Sequence, residues 1–557
     1  MKWTEEQLAI FEAKGDLKIN AVAGSGKTTT VMELARRAES AGQRVTYIAF
    51  NKKVKEEAAV RAVEMGLSGF RAVTAHGLAF GEVMQRMPSA VVAHRGHKPT
   101  DYLRFLDGFR SSADRLAAGA HVDKFIRYFC NSSARKVAEL DYLDAVGAED
   151  ADFAAEHLDA IALGTRRALG AMNSGGLGMT PDFYLKLYAL SAAIVPGDVL
   201  LFDEAQDASP CMLEVVLRSP GRKVVVGDRH QQIYGWRHAV NSLEAVDFKE
   251  LPLSASFRFP GEVAQLARDV VRWKQGAKIE LKGRGRATRS IQSSVVLART
   301  NTGLFEAALA YIASRERVGL EPKIEIAGNL HALLSAEQGG SVYDLLNLKL
   351  GKPEKVKDEG LASLGDWSDF QTYARESGDP SLRALTKLVE EHGKRLPGMI
   401  QRLKRSSERT GDVEMTFSTV HQSKGLEWDS VVVWSDFAAQ TQLPDLENAD
   451  EEVNILYVAV TRARALVFIP DSVFDETKRD KAGEPRARVI TTYPVDGERE
   501  PERRGARWSD AEDAWLRTCF YAGLPLATIA RLFDRTYTSI KSRLTLQELI
   551  EAPVAEA

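Results

Sequence analysis

Short β-branched, aliphatic or aromatic runs recur along the chain, and most end on glycine or polar residues. Residues 17–22, 44–50, 71–74, 199–202, 223–226 and 294–298 have the length and composition of strands. Between them lie stretches of helical character, beginning with 29–37. Strands alternating with helices predict an α/β protein with a doubly wound sheet, whose ligands bind at the carboxyl ends of the strands. From about residue 81 to 180 the strand signal fades into helix-prone sequence with a glycine-rich break at 173–178, the pattern of a helical insertion into the first sheet domain.

Composition narrows the class. A chain of 557 residues should hold several domains, since single cores stop growing near about 250–300 residues. Hydrophobic residues at 44% and charged ones at 27% describe a globular protein. A net charge of −3 requires any hold on nucleic acid to come from local patches. Cys130, Cys211 and Cys519 are widely spaced and indicate neither a zinc site nor a disulfide framework. The N-terminus has no apolar core of signal-peptide length, and no run approaches the roughly 18 apolar residues of a membrane span. A cytoplasmic, nucleoid-associated protein with no membrane partner is expected.

The candidate chemistry sits at strand ends. Ala21-Val22-Ala23-Gly24-Ser25-Gly26-Lys27-Thr28, between an apolar run and a helix, reads as a phosphate cradle. Backbone N–H groups of Ala23, Gly24, Ser25 and Gly26 and the helix N-terminus would face a polyphosphate, Lys27 would reach its β/γ-phosphates, and Thr28 would ligand Mg²⁺. Thr29 follows in the same helix. Gln7, shortly before the loop, is a helix-cap residue alone or a cap that also reads an adenine edge. The run 199–202 ends in Asp203-Glu204, where one carboxylate would hold Mg²⁺ and the next would orient and deprotonate the attacking water. After 223–226, Asp228 and Gln231 are suited to sensing a γ-phosphate, and Tyr234, Trp236 and Arg237 to stacking on unpaired bases. Asn51, Lys52, Thr74 and His76 stand where a strand passes into a helix. They are candidate DNA contacts, and ordinary capping also accounts for them.

The series AVAGSGKTT, TAHGLAF, DEAQD, VGDRHQQIYGWR, LSASFRF, STVHQSKGLEW and NILYVAVTRAR resembles, in order, the motifs of superfamily 1A DNA helicases of the UvrD/Rep/PcrA group. VGDRHQQIYGWR with SFRFP is most similar to the F-box DNA helicase branch, although no F-box is evident. The resemblance implies two RecA-like domains with ATP and Mg²⁺ as cofactors, and single-stranded DNA and single-strand/duplex junctions as partners. It implies Phe257 stacking on adenine, Arg258 and Arg462 as arginine fingers, Gln231 on the γ-phosphate and Glu427 on the ribose. Arg299, Asn301, Thr419 and His421 would touch DNA beside Tyr234, Trp236 and Arg237, and Tyr457 and Thr461 match the last motif. Thr29 replaces an arginine often found against adenine, and Val453-Asn454 stands where many relatives carry two arginines.

The expected domains are residues 1–85 with 181–250, an insertion at 86–180, a second RecA-like domain at 251–327 with 413–472, and an accessory subdomain at 328–412. That subdomain is considerably shorter than in the UvrD group. A polar stretch at 473–506 reads as linker. Residues 507–557 resemble a three-helix Myb- or SANT-like helix-turn-helix domain, whose Lys541 and Arg543 would contact DNA, the other reading being a protein-interaction bundle. The whole predicts an ATP-dependent helicase translocating on single-stranded DNA, with 3′→5′ movement implied by the resemblance. The alternatives are a translocase that strips bound proteins with little unwinding, and a DNA-binding regulator with an ATPase switch.

Overall fold

The computed structural model describes residues 2–235, 241–285, 292–316, 321–336, 339–474 and 487–490, together with 507–508, 513, 516–517, 519–520, 529–530, 533, 535–547 and 549–550. They form two compact units. The first comprises Met1–Ala21, Gly26–Leu253 and Leu334–Lys394, and the second Val22–Ser25, Ser254–Leu333 and Arg395–Ala557.

The first unit is built on β1 (Leu17–Ala21), β2 (Val45–Ala49), β3 (Phe70–Thr74), β4 (Val199–Phe202), β5 (Arg222–Gly227) and β6 (Lys249–Leu253). Their spatial order is β3-β2-β4-β5-β1-β6, and every pairing is parallel. Parallel strands need crossovers and are covered on both faces, so every residue of β2 and β4 is buried. β6 lies at an edge, where Pro252, which has no N–H to donate, costs no ladder bond to a further strand. The core beneath gathers Leu17 and Ile19 of β1, Val31 and Leu34 of the helix Lys27–Ser40, Tyr47, Leu201 and Val226. Strand ends fall within one or two residues of the runs read from sequence, the usual fraying of such boundaries.

The helical insertion is centred on Ser112–Asn131, a helix buried along much of its circumference. The short accessory segment packs on it. His121 lies between the Tyr142 hydroxyl at 2.7 Å and the Glu376 carbonyl at 2.9 Å, and Arg383 donates to Asp150 at 2.8 Å. Burial lowers the His121 pKa to about 4. Contacts thus place Leu334–Lys394 with the first unit, whereas the sequence set apart 328–412 as one block. The last part of Leu334–Lys394 forms the helix Pro380–His392, and a second helix, Leu396–Ser407, follows. Gly393, at φ +48, ends the first, and Pro397 occupies the first turn of the second, as proline prefers.

The second unit holds a short parallel pair, β7 (Ala255–Ser256) and β8 (Lys282–Gly283), and a second six-stranded sheet. That sheet comprises β9 (Ser294–Ala298), β10 (Ile324–Ile326), β11 (Met415–Thr419), β12 (Trp428–Val433), β13 (Ala463–Pro470) and β14 (Ala487–Ile490) in the order β10-β11-β9-β12-β13-β14. Only β14 is antiparallel among these. It lies inside the stretch read as linker. Of the three C-terminal helices expected from the sequence, one, Tyr537–Leu546, lies wholly within the described residues, and the stretches expected to form the other two lie largely outside them. Leu516, Cys519, Ile529, Phe533, Ile540 and Leu544 share one apolar cluster with Leu466 and Phe468 of β13. No described helix is long and apolar enough to cross a membrane.

Candidate nucleotide and nucleic-acid site

β1 ends at Ala21 and the next helix starts at Lys27, so five residues make the turn. Gly24 and Gly26 take φ of +71 and +78, a left-handed backbone that suits glycine. A Cβ on Gly24 would also come within 2.7 Å of Ser256 Oγ and 2.6 Å of Arg258 Cβ. The Ser25 hydroxyl is buried and has no hydrogen-bond partner among the described residues. A left-handed turn at a helix N-terminus with an orphaned buried hydroxyl fits a polyphosphate.

Asp203 and Glu204 follow β4, two strands from β1 in the sheet. Lys27 Nζ lies 2.8 Å from Glu204 Oε1. Burial alone would lower the Lys27 pKa, but the Glu204, Asp203 and Asp228 carboxylates outweigh it, and the ammonium stands above its ordinary value. Asp203 is pushed up by burial and by Glu204, while Lys27 and the Tyr47 hydroxyl, donating at 2.5 Å, oppose the shift. Glu204 has φ +52, a strained conformation for a residue with a side chain. Gln206 Nε2 donates to Glu204 Oε2 at 2.6 Å, and its Oε1 accepts from the Asp228 amide at 3.2 Å. A Cβ on Gly227 would lie 2.3 Å from that Oε1, so a larger residue there would displace the Gln206 carboxamide from this position. Gln231 Nε2 in turn donates to Asp228 Oδ2 at 2.8 Å. A continuous chain of polar contacts therefore runs from Lys27 through Glu204, Gln206 and Asp228 to Gln231. Tyr47 and Gln206 were not singled out in the sequence. Gln206 lies in DEAQD, while Tyr47 comes from a neighbouring strand.

Among the described residues no three His, Cys, Asp or Glu side chains cluster as a protein-only metal cage. Mg²⁺ of the nucleotide type takes one or two carboxylates plus phosphates and water, and Asp203, buried at the end of β4, is a carboxylate of the kind it uses. Gln7 caps its own helix, its Oε1 accepting from the Thr4 amide at 3.0 Å, and its Nε2 donates to Thr30 at 3.0 Å. One donation leaves a carboxamide capacity for a second. Thr28 and Thr29 are half-buried in the first turn of the loop helix.

The DNA candidates of the first unit occupy the same carboxyl edge, displaced toward β2 and β3. Asn51 and Thr74 cap helices, accepting from Val54 at 2.9 Å and Gly77 at 3.0 Å. Lys52 is well exposed beside Glu56. His76 Nε2 sits 3.2 Å from Asp182 Oδ1, and Asn131 donates to the other oxygen at 3.2 Å. Tyr234 stacks on Phe50 with centroids 5.7 Å apart. Trp236 and Arg237 lie outside the described residues.

In the second unit the candidates divide between the two edges of the sheet. Arg299 and Asn301 follow β9, and Thr419 and His421 fall at the end of the adjacent parallel β11. Arg299 is held by Glu452, with Nη2 2.7 Å from Oε1. Asp436 accepts from the Arg299 and Thr300 amides, each at 2.9 Å. Asn301 opens its helix exposed, and Thr419 caps the turn carrying His421. At the opposite edge, Glu427 precedes β12, and Thr461 and Arg462 precede β13. Arg258 donates to Glu427 Oε2 at 2.6 Å and to the Thr461 carbonyl at 2.9 Å. Arg462 is buried and donates to the Val458 and Leu426 carbonyls, and Tyr457 is buried in the helix Ala449–Val460. Phe257 is half-exposed, and its amide donates to Gly24. In the C-terminal module Lys541 is exposed, whereas Arg543 pairs with Asp513, Nε to Oδ1 at 2.7 Å, and its guanidinium is engaged inside the module.

A glycine-rich turn into a buried lysine, with paired acids two strands away on a parallel sheet, defines a P-loop nucleotide-binding protein. Comparison with known proteins narrows this. Residues 7–237 match a family described as an AAA domain, and residues 415–469 match the UvrD-like helicase C-terminal domain. The chain is 28% identical over 516 residues to F-box DNA helicase 1 of Gallus gallus, covering 85% of this chain and 49% of the relative. It is 27% identical over 534 residues to F-box DNA helicase protein 1 of Schizosaccharomyces pombe, covering 84% and 57%. Similarity to the ATP-dependent DNA helicase UvrD2 of Mycobacterium tuberculosis is 24% over 543 residues, covering 83% and 77%. The chain thus spans about half the length of the F-box relatives it matches. Residues 415–469 are thus similar to the C-terminal domain of UvrD-like helicases, and the chain as a whole is similar to proteins named DNA helicases.

Proposed function

We propose that this protein is an ATP-dependent DNA helicase that translocates on single-stranded DNA in the 3′→5′ direction. The observation that carries the reading is the polar chain from Lys27 to Gln231. It ties the phosphate loop to the segment that continues, three residues later, into Tyr234, one of the candidate DNA contacts. Lys27 would bind the β/γ-phosphates, and Glu204 would take the proton of the attacking water once Lys27 turns from it to the polyphosphate. Thr28 and Asp203 would hold Mg²⁺, which supplies charge neutralisation on the phosphates. Gln231 would answer to the γ-phosphate, and Arg258 and Arg462 would stabilise charge on the transferring group. Phe257 and Gln7 would hold the adenine and Glu427 the ribose.

DNA would be held by Asn51, Lys52, Thr74, His76 and Tyr234 in the first unit and by Arg299, Asn301, Thr419 and His421 in the second. Trp236 and Arg237 remain candidates on sequence grounds. The domain assignment follows the resemblance, with residues 507–557 as a helix-turn-helix module. Its Tyr537, Thr538, Lys541 and Ser542 are exposed on one helix and available to DNA or to a protein. Because the module shares its core with Leu466 and Phe468, Lys541→Ala tests that surface more cleanly than deletion does. The resemblance to the F-box branch suggests a second reading, a translocase that strips bound proteins and unwinds little.

ATP hydrolysis with and without single-stranded DNA, run beside unwinding of duplexes with a 3′ or a 5′ tail, tests both readings. We expect stimulated hydrolysis, and unwinding from the 3′ tail alone. Stimulation without unwinding would favour the stripping translocase, and hydrolysis indifferent to DNA would overturn the DNA-contact assignment.

A further inference from the structure

Glu427 is clamped from both sides. Arg258 Nε lies 2.6 Å from its Oε2, and Arg464 places Nη2 at 2.6 Å and Nε at 3.0 Å from its Oε1. The strands explain the juxtaposition. β12 and β13 run parallel with Trp428 opposite Ala463, so the residues flanking that pair, Glu427 and Arg464, meet at the amino edge of the sheet. The Trp428 amide donates to the Arg462 carbonyl at 3.0 Å and fixes the register there. Asp429, the other acid near Arg464, accepts through Oδ2 from the Gln292 and Ser293 amides and the Ser293 hydroxyl, while its Oδ1 forms a longer ion pair, 3.7 Å from Arg464 Nη1.

The two arginines are not equivalent. Arg258 is largely buried and also holds the Thr461 carbonyl, whereas Arg464 is half-exposed and makes its shortest contacts with Glu427, beside the longer pair with Asp429. An arginine that is to meet a transferring phosphoryl group must loosen its hold on Glu427. A half-buried carboxylate deprived of its counter-charge would be costly and badly oriented. Burial would raise the Glu427 pKa, but Arg464 and Arg258 hold it below the ordinary carboxylate value.

We propose that Arg464 is a positioning residue that keeps the Glu427 carboxylate fixed for the ribose when Arg258 turns to the nucleotide. The inference rests on the ATPase reading above. An arginine suits the task, because two N–H groups of one rigid guanidinium converge on Oε1 and hold its position while supplying charge.

The test is steady-state ATPase kinetics of the full chain with ATP and with 3′-deoxy-ATP. The wild type is expected to prefer ATP through KM. Arg464→Ala should raise KM for ATP by about tenfold, the loss of one charge-assisted contact, leave kcat within about twofold, and flatten the preference between the two nucleotides. Arg464→Lys, which keeps the charge but not the fork, should recover part of both. An unchanged KM and sugar preference in Arg464→Ala overturns the proposal, as does a fall in kcat with KM unmoved, or a wild type indifferent to the 3′-hydroxyl. Failure of the underlying reading looks different, with Lys27→Ala retaining full turnover.

Discussion

Lys27→Ala is expected to lower ATP turnover by at least about 10²–10³-fold and to weaken nucleotide binding with it. Three carboxylates, Glu204, Asp203 and Asp228, bear on the ionisation of the ammonium, and they hold it charged despite its burial. Alanine removes the group that would balance a polyphosphate and leaves those acids facing one another. Repulsion between them would then meet an incoming anion, so affinity and rate should fall together. Titration with a fluorescent ATP analogue beside the hydrolysis assay measures both. Turnover within a few-fold of wild type would refute the assignment of the whole phosphate site.

Glu204→Gln should separate what Lys27→Ala joins. The amide oxygen can still accept from Lys27, so the loop keeps its partner, but a carboxamide cannot take a proton from water. Turnover is expected to fall by about 10²–10⁴-fold with nucleotide affinity retained or improved. Removing the charge also removes a cause of the raised Asp203 pKa, leaving Asp203 better ionised for Mg²⁺. Equal losses of binding and turnover would mean that Glu204 is a structural partner of Lys27 rather than the base.

What could be read in the sequence is what lies close together along it. The phosphate loop, the acids after β4 and the strand runs are patterns of a few consecutive residues, and backbone sterics and burial write them locally. What could not be read are partners joined by strand order. Gln206 reaches Asp228 because β4 and β5 are neighbours, and Glu452 meets Arg299 across 153 residues. Arg464 was visible within TRAR, but nothing local announces that Glu427 lies beside it. For Asn51 both readings made from sequence remain open, since a capping side chain at the carboxyl edge is also where a strand of DNA would pass. Arg543 is different, because its bond to Asp513 occupies the guanidinium offered for DNA.

The left-handed backbone at Glu204 has a consequence for selection. Glycine would adopt φ +52 without the strain that a side chain brings there, of order 1 kcal/mol or more, and would relieve the crowding of acids around Asp203. A substitution library scored for protein abundance should therefore accept glycine at position 204, while the same library scored for ATP turnover rejects it. A site at which those two scores part company has been kept at the expense of foldedness, which marks it as serving chemistry.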